Sequence, residues 1–251
     1  MANRVSRGCL SDSQRDDVRG LLGEILHTLP AEHLRALVAI ARLRDIPRGT
    51  EVLAEATSAQ EIGYLLDGAL GMQKCLPDGR THIIGLLVPT DMYGRLFDGP
   101  TAYAIVALTD ARVLTFSRGP FEDILRTTPE IERMFLVNVL DELDSAREWV
   151  LLMGGHKIVE RLASFLLILL RRKLRSVRHR DPGVPMSVTI PIRRTDLAHY
   201  LGTTPESISR ALHELNGEGV VRLKDAYEIE IADLPGLVRV SGADFLTGGA
   251  G

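Results

Sequence analysis

The sequence predicts an α+β protein: a small all-β sandwich or roll, then one long helix, then two short helices with a β-hairpin behind them. Three observations carry that prediction. From Arg42 to Ser117, short apolar runs rich in Val and Ile are cut by "PRGT", "LDGAL", "LPDGRT", "VPTD", "FDGPT", "LTDAR" and "SRGP". Glycine or proline recurs about every dozen residues there, as it does in small sandwiches. From Thr128 the apolar period becomes helical and holds to Gly154-Gly155. From Arg194 to Leu223, "RTDLAHYLGTTPESISRALHELNGEGVVRL" sets two helix-start signals around a lone Gly202.

Composition sets the outer limits. With 251 residues, 25% charged and 45% hydrophobic, the chain has room for more than one domain. Its longest apolar run, "ASFLLILL" from Ala163 to Leu170, falls far short of the roughly 20 residues a membrane span needs. The N-terminal "MANRVSRGCLSDSQRDD" has early positive charge with no apolar stretch behind it. The expectation is therefore no signal peptide, no membrane partner and a cytoplasmic location. Two cysteines, Cys9 and Cys75, lie too far apart to suggest a disulfide framework or a zinc site. The net charge of −3 conceals an asymmetry: His156 to Arg222 holds 12 Lys/Arg against 6 Asp/Glu, a net of +6, which leaves −9 for the rest. A basic segment in an acidic chain suits a polyanion-binding module attached to something else.

The elements follow in order. Residues 1–29 lack clear periodicity and read as an N-terminal arm. Leu34, Leu37, Val38 and Ala41 have helical spacing, which predicts a helix from about Pro30 to Ala41. The turn-punctuated β region follows, with Pro77 to Gly79 as a hairpin turn. The long helix has Thr128 as N-cap, Pro129 at its first position and Glu130 in its first turn. At 1.5 Å per residue it is a rod of about 40 Å. Leu136, Leu140, Leu143 and Val150 form one apolar stripe; Ile131, Phe135, Val139, Ala146 and Met153 form another. Two stripes need two covers. The β region supplies one, and a second copy of the helix supplies the other, which predicts a homodimer with the first stripe at its interface. Another helix runs from His156 to about Val177. In "SVTIPI", Val188, Ile190 and Ile192 alternate as a short strand.

In the opening stretch, Thr195 and Asp196 are expected to cap a helix ending at Tyr200, and Leu201-Gly202 makes the turn. Thr204 caps a second helix that begins with Pro205 and runs to about Asn216-Gly217. "VVRL" and "YEIEI" then flank Lys224 to Ala226 as a hairpin, the wing of a winged helix. Glu206, Ser209 and Arg210 stand at i, i+3 and i+4, on one face near the start of the second helix. That end of a recognition helix enters the major groove. There Arg reads guanine O6/N7, Glu accepts from cytosine N4, and Ser donates or accepts. Ser209 points the same way, because serine is a poor mid-helix residue. Thr203, Thr204, Arg194 and Lys157 are the expected contacts to the DNA backbone.

At these residues the chain resembles the CRP/FNR family of bacterial transcription regulators, from about Pro30 to Pro235. "LLDGALGMQKCLPDGR", the long helix, "KIVERLASFLL" and "GTTPESISRALHEL" carry the resemblance. It implies an N-terminal β-roll of the cyclic-nucleotide-binding jelly-roll type over 30–118, a dimerisation helix within 119–155, a winged-helix DNA-binding domain over 156–235 and a tail over 236–251. It also implies a homodimer on double-stranded DNA, working with RNA polymerase. Glu206, Ser209 and Arg210 look like the FNR/FixK branch, which implies palindromes of the TTGAT-N4-ATCAA kind. Pro205 stands where CRP-like helices usually carry Arg. "DGRTHIIGLLVPTDMYGR" resembles FixK- and FnrL-like members, which control microaerobic respiration, nitrogen fixation, denitrification or photosynthesis.

Two departures bear on the signal. Oxygen-sensing members hold a [4Fe–4S] cluster on about four thiolates; this chain offers only Cys9 near its start, and Leu114 stands where a β-roll cysteine would be. Cyclic-nucleotide binders carry Gly-Glu and, later, Arg followed by Ser or Thr; here those places read Gly94-Arg95 and Ala102-Tyr103. The expectation is a regulator with no cofactor and no recognised effector; the resemblance to FixK-like members implies control by abundance as one option. Alternatives are a thiol sensor at Cys75, which follows Lys74, or at Cys9, and a haem-based nitric-oxide sensor using His27, His33, His82 or His156. A metal-dependent β-roll enzyme needs several converging histidines. The β region contains only His82, so the expectation is no catalytic or metal-binding residues.

Overall fold

The computed structural model describes residues 18–20, 30–75, 81–97, 99–153, 157–176 and 186–242. Residues 1–17 and 21–29 of the arm, Cys9, His27, the Pro77–Gly79 turn, Gly154, Gly155 and His156 lie outside the described residues. The chain divides into two compact units, one drawn from 1–70 and 87–142, the other from 71–86 and 143–251.

Residues 18–20 of the expected arm are helical, with Val18 wholly buried in the core, and helix α1 (Ala31–Ile40) follows. It stops one residue earlier than its spacing suggests, because Ala41 is extended and pairs with Phe116 as the first residue of β1 (Ala41–Ile46). Then come β2 (Glu51–Leu53), β3 (Glu61–Asp67), β4 (Leu70–Cys75), β5 (Thr81–Leu87), β6 (Met92–Tyr93), β7 (Ala104–Ala107) and β8 (Ala111–Ser117). They form two four-stranded sheets, ordered β1-β8-β3-β6 and β2-β7-β4-β5. This is the small roll that the turn spacing predicts, of the jelly-roll type that the resemblance implies.

Strand register decides which side chains share a face. Ile62 pairs with Phe116 and Tyr64 with Leu114, so these four project to one side of β3 and β8. Helices cover that side: Ile62, Leu114 and Phe116 pack in one core with Leu37, Val38, Phe121 and Ile131. On the other side, Gly63 pairs with Tyr93 of β6 and Leu65 with Val113. A Cβ at Gly63 would fall inside the Tyr93 ring, so only glycine allows this approach.

The segment from Arg118 holds two helices, not one. Helix α2 (Arg118–Thr127) is separate, and α3 (Pro129–Met153) follows with the bounds the caps predict. Of the second predicted stripe, Ile131 is fully buried and Phe135 half-buried, but Val139 and Ala146 are exposed. Within the first unit this stripe is covered at Ile131 and Phe135 and open at Val139. The first stripe is exposed throughout: Leu136, Leu140 and Leu143 are about half accessible, and Val150 is 70% accessible.

The remaining elements are α4 (Ile158–Ser176), β9 (Ser187–Thr189), α5 (Arg194–Tyr200), α6 (Pro205–Gly217), β10 (Val221–Leu223), β11 (Glu228–Ile231) and α7 (Leu234–Ser241). The three strands form one antiparallel sheet ordered β10-β11-β9. Leu162 and Leu166 of α4, Leu197 of α5, Ile208 and Leu215 of α6 and Ile229 of β11 are wholly buried. Val188, Ile190 and Ile192 are each 1% exposed, as their alternation predicts, although the ladder itself covers only Ser187–Thr189. None of the helices among the described residues is long and apolar enough to cross a membrane.

Candidate nucleic-acid interface

Helices α5 and α6 make the helix-turn-helix. Helix α5 starts at Arg194 after an extended Arg193, and no side chain caps it. Thr195 and Asp196 are therefore first-turn residues, not caps. Asp196 still favours the positive helix end from that position. Gly202 takes φ 64°, a left-handed conformation that side chains rarely adopt. The Thr203 amide then donates to the Ala198 carbonyl at 2.8 Å, and the Arg161 guanidinium reaches across from α4 to the Leu201 carbonyl at 2.7 Å. Arg161 was not legible as a turn brace, because its partner is a backbone oxygen 40 positions away.

Helix α6 begins as its signals predict. The Thr204 hydroxyl accepts from the Ser207 amide at 3.3 Å, and Pro205 occupies the first turn. Ile208, Ala211, Leu212 and Leu215 turn inward and are buried. Glu206, Ser209 and Arg210 are all exposed on the opposite side. The backbone amide of Glu206 holds its carboxyl below the usual range, with help from the Thr204 hydroxyl and the Arg210 charge. The side chain is thus an ionised acceptor. Arg210 donates to the Ser207 hydroxyl at 3.1 Å, and Thr204 donates to the same oxygen at 3.2 Å. Ser209 does have a local partner, contrary to expectation: its hydroxyl donates to the Pro205 carbonyl at 3.0 Å, one turn back. Its lone pairs still face solvent.

The expected backbone contacts lie in the same unit. Thr204 is exposed and Thr203 half-buried. Lys157 is exposed immediately before α4, where its amide donates to the Glu160 carboxylate at 2.9 Å. Arg194 is partly buried, and its Nη1 is one of three buried side-chain polar atoms without a partner among the described residues. Burial lowers its pKa, and an anion beside it would offset that cost.

The hairpin β10–β11 is the wing. Asp225 at its tip accepts from the Tyr227 and Glu228 amides, both at 2.7 Å. Arg222 sits directly opposite Glu230 in the ladder, and their side chains meet at 2.8 Å. Lys224 reaches the other Glu230 oxygen at 2.6 Å. Lys224 and then Arg222 hold the Glu230 carboxyl below its usual range.

Residues 160–240 match the Crp-like helix-turn-helix domain and residues 43–128 the cyclic nucleotide-binding domain. The transcriptional activator protein FnrL of Cereibacter sphaeroides is 33% identical over 214 residues, covering 85% of this chain and 86% of that protein. The chain belongs to the CRP/FNR family. Within that family its likeness is to the FixK-like branch. The nitrogen fixation regulation protein FixK of Bradyrhizobium diazoefficiens is 29% identical over 199 residues, covering 79% of this chain and 82% of that one. The solved structure of FixK2 from Bradyrhizobium japonicum aligns with a TM-score of 0.70 at 28% identity, over 81% of this chain and 98% of that one. Transcription regulation and DNA binding follow for this CRP/FNR member.

The places that the family resemblance assigns to a nucleotide read Gly94-Arg95 and Ala102-Tyr103. Gly94 has φ 108°, and Arg95 runs back so that its Nε would lie 3.4 Å from a Cβ at Gly99. Arginine only donates, so it cannot accept from a ribose hydroxyl as a carboxylate would. Ala102 brings no charge for a phosphate. Tyr103 beside it is half-buried; burial, then the Glu142 carboxylate, raise its pKa. Leu114 is wholly buried in the apolar core, and Cys75 is exposed at the end of β4. No group of three or more His, Cys, Asp or Glu among the described residues could hold a metal ion.

Proposed function

We propose that this chain is a homodimeric, sequence-specific transcription regulator of the FNR/FixK type that reads a TTGAT-like palindrome through α6. The observation that carries this reading is the exposed trio on α6. Glu206, Ser209 and Arg210 share one face at the end of the helix that a groove admits. The orphaned Arg194 Nη1 supports a backbone phosphate nearby, with Lys157, Thr203 and Thr204 as further backbone contacts. The exposed Leu136, Leu140, Leu143 and Val150 support a second copy along α3. The name of the FnrL relative, a transcriptional activator, supports activation and contact with RNA polymerase. Buried Leu114 and the Arg95 loop support operation without an iron–sulfur cluster or a cyclic nucleotide.

The test is fluorescence anisotropy with a labelled TTGAT-N4-ATCAA duplex, the same duplex with one base pair added to the spacer, and a scrambled duplex. Two chains should bind each palindrome, and the altered spacer should weaken binding, because half-sites about one helical turn apart must match the dimer. Equal affinity for all three duplexes sinks sequence reading.

A further inference from the structure

A cavity of about 300 Å³ lies in the first unit, between the helix-covered face of β3 and β8 and the helices themselves. That is the small end of the range for ligand sites, roughly 300 to 1,000 Å³. Its floor is apolar: Leu37 of α1, Phe116 of β8 and Phe121 of α2. Met92 and Met134 line two walls, and thioether side chains adapt their shape to what they meet. Neither the family's nucleotide loop at residues 94–103 nor α6 contributes to it.

Polar groups converge on this apolar floor. The Tyr64 phenol and the Asn138 amide line the cavity. Burial, then the Asp91 charge, push the Tyr64 phenol up to about 12, so it stays protonated and can both donate and accept. The mouth carries the Asp141 carboxylate and Thr90. Thr90 has φ 86°, a strained conformation for a branched residue, held by its amide's bond to the Leu65 carbonyl at 2.9 Å. Such strain concentrates at ligand clamps. The Asp141 carboxylate makes the charge at the mouth negative.

We infer that this cavity is a ligand site for a small amphipathic amine, with an aromatic or alkyl body on the Phe116–Phe121 floor and a cationic head at Tyr64, Asn138 and Asp141. The inference deepens the regulator reading by giving the chemical class of an effector, and it rests on that reading for the effector's role. Met134, Val137, Asn138 and Asp141 are one stripe of α3, so an occupant would touch two turns of the helix proposed to pair with its copy.

Calorimetric titration of the full chain without DNA tests the site, using tryptamine, and indole-3-acetate as the same body with the opposite charge. Tryptamine should saturate one site per chain and bind at least tenfold more tightly. Asp141→Asn, an exposed change, should narrow that ratio to under threefold. Met134→Trp should fill the cavity and abolish tryptamine binding; if this variant fails to fold by circular dichroism, Asp141→Asn decides alone. No saturation below about 10 mM, equal binding of the two probes, or an unchanged ratio in Asp141→Asn overturns the site. Binding of tryptamine by a chain that ignores the palindrome would sink the DNA reading and leave the site standing. Palindrome binding without tryptamine binding would do the reverse.

Discussion

Truncating Arg210 is the sharpest test of the proposal that α6 reads DNA. The side chain is exposed, and its hydrogen bond to the Ser207 hydroxyl at 3.1 Å is exposed too. Arg210→Ala should therefore change folding stability by no more than about 0.5 kcal/mol. A bidentate contact to a guanine is worth about 1–3 kcal/mol of discrimination. At about 1.4 kcal/mol per tenfold, that is roughly 5- to 150-fold per half-site. Two half-sites in a dimer double the energy, to about 2–6 kcal/mol. The assay is an anisotropy titration of wild type and Arg210→Ala on the TTGAT palindrome and on the same site with both guanines changed. Wild type should strongly prefer the intact site, and the variant should bind both weakly and nearly alike. Arg194→Ala serves as the contrast: losing a phosphate contact should weaken every sequence equally and flatten the salt dependence by about one ion's worth. If Arg210→Ala still distinguishes the two sites as wild type does, Arg210 does not read that guanine.

Two further outcomes follow from the helix and the wing. Leu140→Glu should leave the monomer folded, since Leu140 is half exposed, but should place a charge in the proposed seam at a cost of several kcal/mol, on the order of the penalty for an unpaired buried charge. Sedimentation at micromolar concentration should then show a monomer, and a wild-type monomer under the same conditions would refute the seam. In the wing, Lys224 and Arg222 depress the Glu230 pKa. The stability this contributes is present above the ordinary glutamate value of about 4.3 and is lost as pH falls through the lower folded value. Glu230→Gln should therefore be less stable than wild type at pH 7, and the gap should close in acid; a gap of constant size from pH 7 to pH 3 would contradict the pairing.

What could be read from the sequence was local. Thr128 and Pro129 fixed the start of α3, Thr204 and Pro205 fixed the start of α6, and Gly202 marked the turn between two helices. Each depends on groups within one helical turn. The missed features depend on distant ones. Val139 and Ala146 keep helical spacing with Phe135, yet nothing in their spacing says that they stay exposed. Thr195 resembles a cap until Arg193 is seen to be the extended residue. The acid at position 230 could have been paired with Arg222 from an assumed hairpin register, but Lys224 closing on its second oxygen could not.

The hydroxyls of Thr204 and Ser207 meet ahead of the Arg210 guanidinium. An arginine left loose in solvent carries roughly 2 kcal/mol of rotamer freedom, which it must surrender on meeting a base. Here part of that freedom is surrendered when the helix folds, before any DNA is present. If Arg210 reads a base as proposed, recognition by α6 is partly prepared in the free protein, and complex formation has less disorder left to remove. In that reading Ser207, which is assigned no base of its own, helps set how readily the neighbouring arginine finds one.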